Sequence, residues 1–207
     1  MSVDIPSPPE LGADGRILEG IVTTLNADGT PNISPMGPIV DQQLYRLWLR
    51  PFRTSTTHQN LKRTRHGVFH ITDDVLLLAH AAIGQPHPPL RTTHAAKVEG
   101  VILADACRWY AFEVESVDDA HERTSIVARV VDRGVQREFL GFNRAKHAVV
   151  EAAILATRVH ILDPPEIMAE FDRLAPLVAK TGAAPEHEAF DFLRRYVASQ
   201  IDNPRSK

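Results

Sequence analysis

The chain has 207 residues and a mass of 23.0 kDa, a length that suits one domain with a modest extension. Its 43% hydrophobic and 24% charged residues are typical of a globular protein with a substantial core, and its net charge of −3 argues against a general nucleic-acid binder. A single cysteine excludes a disulfide within the chain. The sequence shows neither a signal peptide nor an apolar run long enough to span a membrane, so we expect a cytoplasmic protein with no membrane partner.

The first 74 residues predict a flexible arm followed by four strands. Residues 1–15 are rich in Pro, Asp and Gly, which predicts the arm. Strands are predicted where apolar or alternating β-branched runs are separated by turn residues, such as NADGTP at 26–31. The predicted strands are RILEGIVTTL (16–25), NISPMGPIV (32–40), LYRLWLR (44–50) and GVFHITDD (67–74), whose final aspartates could cap a short helix over 75–84.

The second half of the chain predicts two or three more strands and then helices. A Pro-rich segment, residues 85–95, has no periodicity and could be a mobile lid. Strands follow over 97–117 and 124–139, with a turn at Gly134. The predicted helices are 141–162, one from Pro164 to about Lys180 stopped by Gly182, and 186–200. This order predicts an antiparallel barrel or sheet with helices packed on it, rather than a parallel α/β fold.

The segment NISPMG is poorly suited to a central strand. Pro35 and Pro38 cannot donate ladder hydrogen bonds, and Gly37 has no side chain. The pattern fits an edge strand beside a hairpin, and it equally fits a backbone that a flat ligand approaches closely.

The stretch RTSTTHQNLKRT, residues 53–64, predicts a helix whose start carries hydroxyl groups. Ser and Thr are good N-caps, so a capped surface helix is one interpretation. The other is a phosphate site, because a helix N-terminus presents free N–H groups and a positive dipole end, and Arg53 adds a charge-assisted donor. Both interpretations apply to the cluster Arg50, Arg53, Thr54, Ser55, Thr56 and Asn60.

The helix predicted over 141–162 has one face of small and apolar residues and one polar face. The polar face could be solvated, or buried at a subunit contact or beside a ligand. The histidines of the chain show no metal-ligand spacing, so no metal site is predicted. The apolar face is Phe142, Ala145, Val149, Ala152, Ala153 and Ala156, and the polar face is Arg144, His147, Glu151 and Arg158.

Taken in order, these segments resemble the DUF447 family, a branch of the FMN-binding split-barrel superfamily that includes flavin reductases and pyridoxamine-phosphate-oxidase-like proteins. The resemblance covers roughly residues 16–200, and STTHQNL and FNRAKHAVVEAAILATR are its most specific parts. It implies a mainly β fold with α, in which C-terminal helices pack on a six-stranded, Greek-key-like antiparallel split β-barrel. The implied domains are an arm (1–15), a barrel (16–163) that includes the helix at 141–160, and a helical extension (164–207).

The resemblance also implies a homodimer that binds FMN near the subunit interface. By position, the stretch 53–60 corresponds to the phosphate site of the family, and the stretch 34–37 corresponds to the residues that line the isoalloxazine ring. Asn143 and Arg144 could complete the cofactor site from the partner subunit, and His147 is the candidate catalytic proton donor. The phosphate residues are Arg53, Thr54, Ser55, Thr56 and Asn60, and the ring residues are Ser34, Pro35, Met36 and Gly37.

Three functions remain open from the sequence. The protein could be a flavin-dependent oxidoreductase acting on a nicotinamide or on a small organic, pterin-like substrate. It could instead be an FMN-binding carrier or sensor without turnover, or a structural dimer with an empty site. A Rossmann motif is missing, but split-barrel reductases do not use one, so its absence does not decide between these functions.

Overall fold

The computed structural model describes residues 7–84 and 90–202, and these ranges contain ten strands and five helices. They divide into two compact units, a sheet unit of residues 7–72 and 90–138 and a helical unit of residues 73–84 and 139–202. The strands are β1 (Arg16–Ile17), β2 (Gly20–Leu25), β3 (Pro31–Met36), β4 (Ile39–Val40), β5 (Arg46–Leu49), β6 (His66–Ile71), β7 (Thr92–His94), β8 (Val101–Leu103), β9 (Arg108–Asp118) and β10 (Ser125–Val135). The helices are α1 (Thr56–Thr64), α2 (Val75–Ala82), α3 (Arg144–Ala156), α4 (Pro164–Thr181) and α5 (Ala184–Asp202).

The sheet unit is built on an eight-stranded antiparallel sheet that curls into a half-barrel. Its strand order is β1-β4-β5-β10-β9-β6-β2-β3, and β7 and β8 form a separate two-stranded sheet. The predicted fold class of an antiparallel split barrel with helices is therefore confirmed, with more strands than the six expected. Within the described residues, no helix is both long enough and apolar enough to cross a membrane.

The β2–β3 hairpin places β3 at the edge of the large sheet. Its turn forms as predicted, because Gly29 takes a positive φ of 83° and Asp28 Oδ1 accepts from the N–H of Thr30 at 2.9 Å. Pro35 lies in β3, where an edge position tolerates the missing donor. The edge-strand interpretation of NISPMG is correct for this structure.

Helix α1 packs onto the core of the sheet unit through Leu61, which is completely buried. Gly67 in β6 makes this packing close, since a Cβ there would lie 2.5 Å from the Phe112 ring and 3.2 Å from a Leu61 methyl group. The core side chains that surround this contact are Val22, Val40, Leu47, Leu49, Phe69, Tyr110, Val114, Ile126 and Ala128.

Three details of the predicted strands and loops were wrong. The runs 16–25 and 32–40 each form two strands, and the N–H of Leu18 donates to the Pro38 carbonyl in the gap between them. Pro38 has no N–H with which to return a ladder hydrogen bond. Gly134 is not in a turn but inside β10, where it pairs with Trp109. The segment 85–95 contains β7, and its residues 85–89 lie outside the described residues, so the lid remains untested.

The helical unit has a core of small and apolar side chains from α2, α3, α4 and α5. The predicted caps are present, since Asp74 accepts from the N–H of Leu77 at the start of α2 and Gly182 ends α4. The small residues of α3 are buried as expected, but Phe142 precedes the helix and is 94% exposed. This unit includes α3, whereas the sequence analysis counted 141–160 with the barrel; the domain boundaries stay a prediction.

Candidate functional site

The N-terminus of α1 is capped by the side chain of Ser55. Its Oγ accepts from the N–H of His58 at 3.2 Å, and its own N–H donates to the Phe52 carbonyl at 2.9 Å. Thr56 and Thr57 occupy the first turn, where helix geometry provides no carbonyl partner for the N–H groups. The first turn holds no acidic residue, so the positive end of the helix dipole is not neutralised locally.

The loop that leads into α1 is fixed by the β9–β10 connection. The N–H of Arg53 donates to the Glu122 carbonyl at 2.8 Å, and both the N–H and the hydroxyl of Thr124 donate to the Pro51 carbonyl. The Arg123 guanidinium lies 4.8 Å from the centre of the Phe52 ring, within the range of a cation–π contact. The loop backbone is thus held while the side chains of Arg53, Thr54 and Thr56 remain exposed.

Two buried nitrogens at this loop lack partners. Among the described residues, Arg50 Nε and His58 Nδ1 are the buried side-chain N or O atoms without a hydrogen bond. Arg50 directly follows β5, and His58, which is only 2% exposed, lies in the first turn of α1. Buried polar groups are rarely left unpaired. Arg50 belongs to the cluster that the sequence already indicated, whereas His58, inside the same segment, was assigned no role there.

The pKa of His58 is lowered from its ordinary value, chiefly by burial. The positive charges of Lys62 and Arg53 lower it further, and the Asp119 carboxylate, 3.8 Å from Nε2, opposes this. Lys62 Nζ donates to the same carboxylate at 2.7 Å, which lowers the pKa of Asp119. His58 is therefore a neutral imidazole at pH 7, in surroundings with excess positive charge.

Asn60 anchors α1 to the hairpin turn. Its Nδ2 donates to Thr24 Oγ1 at 3.1 Å and to Asn26 Oδ1 at 2.9 Å, and its Oδ1 accepts from Arg63 at 3.1 Å. Both amide hydrogens are used within the protein. Asn60 thus lies at the predicted site with its donors already engaged.

A second amide joins α1 to β3. Asn32 Nδ2 donates to Thr57 Oγ1 at 3.0 Å and to Thr24 Oγ1 at 3.2 Å. The structure therefore brings together the start of α1 and the segment NISPMG, the two stretches that the sequence indicated as a ligand site.

The predicted ring-lining residues occupy β3 and the residue after it. Ser34, Pro35 and Met36 are half-buried and pair with β2. Gly37 is also half-buried, and a Cβ there would lie 2.7 Å from an Ile17 methyl group and 2.8 Å from a Glu19 carboxylate oxygen. A side chain at this position would displace the exposed side chains of Ile17 and Glu19.

The remaining predicted residues belong to the helical unit. Asn143 is the N-cap of α3, with Oδ1 accepting from Ala145 and Lys146 and Nδ2 donating to the Thr181 carbonyl. Arg144 and His147 are exposed on the first turns of the helix. The hydrogen bonds of the helix cap already use the side chain of Asn143, so its position needs no ligand to explain it. The side chains of Arg144 and His147 are accessible to solvent.

Family profiles match most of the chain. One, described as "Protein of unknown function (DUF447) N-terminal domain", matches residues 18–137, and a second, "Protein of unknown function (DUF447)", matches residues 143–195. The chain belongs to the DUF447 family. The N-terminal match contains β3 and α1, and the C-terminal match contains α3. No curated protein sequence matches this DUF447 chain.

Among solved structures, one shares the fold over most of this chain, and others are similar over a smaller part. The FMN-bound DUF447 protein MM1853 from Methanosarcina mazei has a TM-score of 0.73 at 23% identity, over 90% of this chain and 100% of that one. The styrene monooxygenase flavin reductase from Pseudomonas putida S12 has a TM-score of 0.48 at 18% identity, over 58% of this chain and 82% of that one. A flavin reductase domain protein from Arthrobacter sp. FB24 has a TM-score of 0.49 at 18% identity, over 58% and 79%.

Proposed function

We propose that this DUF447 protein binds FMN and holds the phosphate at the start of α1. The observation that carries the proposal is a capped helix N-terminus with hydroxyls, an exposed arginine and no carboxylate in its first turn. This donor set suits a dianionic phosphate. The FMN-bound relative in the same family, with the same fold over 90% of this chain, supports the choice of cofactor.

The phosphate contacts in this proposal come from Arg53, Thr54, Ser55 and Thr56. Arg53 supplies the charge, and the first-turn N–H groups and hydroxyls supply directed hydrogen bonds. Asn60 has a positioning role, because its amide hydrogens already hold α1 on the hairpin. Asn60 therefore affects phosphate binding indirectly, because it holds the N-terminal turn of α1 in position.

The isoalloxazine ring is proposed to lie against β3, near Ser34, Pro35, Met36 and Gly37. An edge strand has backbone N–H and C=O groups on one side that no neighbouring strand uses. The link from Asn32 to Thr57 supports this arrangement, because it fixes β3 relative to the phosphate end of the site.

The proposed activity is that of a flavin-dependent oxidoreductase, with a nicotinamide or a small organic, pterin-like molecule as substrate and the cytoplasm as the expected location. Bound FMN supplies hydride and electron transfer, while the protein orients the ring and controls access of water. In a homodimer, Asn143, Arg144 and His147 of the second protomer complete the site, and His147 donates a proton. Exposure of Arg144 and His147 supports their availability. The alternative is a carrier or sensor that binds FMN without turnover.

Titration of the purified apo-protein with FMN and with riboflavin tests the cofactor. We expect Arg53→Ala/Ser55→Ala to weaken FMN binding at least tenfold (about 1.4 kcal/mol) and to leave riboflavin binding nearly unchanged, because riboflavin lacks the phosphate. The matched control is Arg129→Ala/Ser125→Ala on β10. The absence of FMN binding by the wild-type protein would refute the proposal.

Turnover and assembly need separate measurements. Oxidation of NAD(P)H by the FMN-loaded protein would favour the oxidoreductase function. Stoichiometric retention of FMN without NAD(P)H oxidation would favour the carrier or sensor function. Unchanged turnover in His147→Ala would remove the proton-donor role. Light scattering tests the homodimer, and a monomer that still binds FMN would exclude completion of the site by a second protomer.

A further inference from the structure

We propose that Arg50 and His58 are two additional ligands of the phosphate, and that His58 takes up a proton when the phosphate binds. This inference rests on the proposed function. It adds Arg50, which precedes Arg53, and His58, which lies between Thr56 and Asn60.

The first support is the position of the two unpartnered nitrogens. Arg50 Nε and His58 Nδ1 are both buried without a hydrogen bond; Arg50 directly precedes the loop 51–55, and His58 lies in the first turn of the helix that follows it. Each is a donor that a phosphate oxygen would satisfy, Arg50 always and His58 in the Nδ1–H tautomer or the imidazolium form. An incoming anion would remove the cost of leaving both groups unpaired.

The second support is the position of His58 in the first turn of α1, where the backbone N–H groups of the helix have no carbonyl partners within the helix. His58 is the third residue of α1, and its own N–H is capped by Ser55. His58 thus belongs to the turn at which the phosphate is proposed to bind, and its Nε2 lies 3.8 Å from the Asp119 carboxylate.

Proton uptake follows from the charges around the ring. Asp119 of the β9–β10 connection faces Nε2 at 3.8 Å, while Lys62 of α1 and Arg53 of the loop act on the ring as positive charges. In the free protein, burial and the two cations keep the imidazole neutral. A dianion beside Nδ1 reverses this balance, because an imidazolium then donates from Nδ1 to phosphate and directs Nε2–H toward Asp119. No bond other than this N–H bond forms or breaks, and the proton comes from solvent.

Isothermal titration calorimetry of the full-length protein with FMN, in buffers of different ionisation enthalpy at pH 7.5, measures the proton uptake. We expect net uptake in the wild type and a clear decrease in His58→Asn; the proton of the phosphate itself is common to both and cancels in the difference. We also expect Arg50→Lys, which keeps the charge but lacks Nε, and His58→Asn each to weaken FMN binding about tenfold or more while riboflavin binding changes less than twofold.

Matched controls come from exposed residues of the helical unit, Arg173→Lys and His187→Asn, which should leave FMN affinity unchanged. If His58→Asn does not fold, nitrogen NMR of the wild-type imidazole replaces it, and FMN or inorganic phosphate should shift His58 to the imidazolium form. Unchanged FMN affinity in both site variants, or a ring that stays neutral in the complex, would overturn the inference while FMN binding stands. Protonation of His58 by inorganic phosphate without any FMN binding would instead support the anion site and refute the cofactor.

Discussion

His70 Nε2 accepts a hydrogen bond from the N–H of Leu103 at 3.1 Å. A backbone N–H can only donate, so the proton of this neutral ring is on Nδ1, which donates to the Ile21 carbonyl at 3.2 Å. The completely buried ring thus connects β6 with β2 and with β8 of the small sheet. Thr23 adds a parallel link, because its hydroxyl donates to the Val101 carbonyl at 2.6 Å.

Acid should destabilise the protein through His70. Burial lowers its pKa to about 4, whereas the unfolded chain titrates near 6.5. The unfolded state therefore binds more protons between these values, so the contribution is fully present above pH 6.5 and is lost as the pH falls toward 4. The difference corresponds to about 3 kcal/mol of unfolding free energy, measurable by urea titration at pH 7.5, 5.5 and 4.5. In His70→Gln this part of the pH dependence should disappear, and an equal slope in variant and wild type would contradict the assignment.

Replacing Asn60 should loosen the start of α1. Asn60→Ala removes hydrogen bonds to Thr24, Asn26 and Arg63, a loss of about 2 kcal/mol that exceeds the better helix propensity of alanine. Urea unfolding measures this loss, and FMN affinity should fall along with it. Gln59→Ala, at the exposed neighbouring position, is the control. Weaker FMN binding with wild-type stability would instead indicate direct contact between Asn60 and the ligand.

Ser55 is proposed both to cap α1 and to contact the phosphate, and an aspartate separates these roles. Asp is as good an N-cap as Ser and complements the helix dipole, so Ser55→Asp should keep the wild-type unfolding free energy. Its negative charge should nevertheless weaken FMN binding more than tenfold, while riboflavin binding changes little. Ser55→Ala should lose about 1 kcal/mol of stability. If Ser55→Asp binds FMN like the wild type, the phosphate does not lie at this helix end.

Structural features that depend only on residues adjacent in the sequence could be predicted from the sequence. The Asp28–Gly29 turn, the Asp74 cap and the end of α4 at Gly182 depend on a few adjacent residues, and all three are present. The strand breaks could not be predicted in this way. The gap between β1 and β2 lies opposite Pro38, and this pairing of Leu18 with Pro38 exists only once the sheet has formed.

The same distinction applies to the candidate site. The hydroxyl-rich start of α1 is a local pattern and was predicted with its cap. The engaged amide of Asn60 depends on Thr24, 36 residues earlier in the chain, and the unpaired state of His58 Nδ1 depends on how the whole unit buries the ring. Neither property can be recognised from residue type and spacing alone.

Gly134 is required by Trp109 on the neighbouring strand. A Cβ at Gly134 would lie 2.6 Å from the indole Nε1 and Cε2 atoms, which is closer than a rigid ring tolerates. Gly134→Ala should therefore displace the indole, change its fluorescence and cost about 1–3 kcal/mol of unfolding free energy.

The background variant Trp109→Leu tests the cause of this loss. With the ring removed, Gly134→Ala should cost much less or become stabilising, because alanine loses less backbone entropy than glycine on entering a strand. The interaction free energy from the double-mutant cycle then measures the clash itself. If Gly134→Ala costs the same in both backgrounds, the glycine is needed for its backbone conformation in β10 and not for the space that the indole occupies.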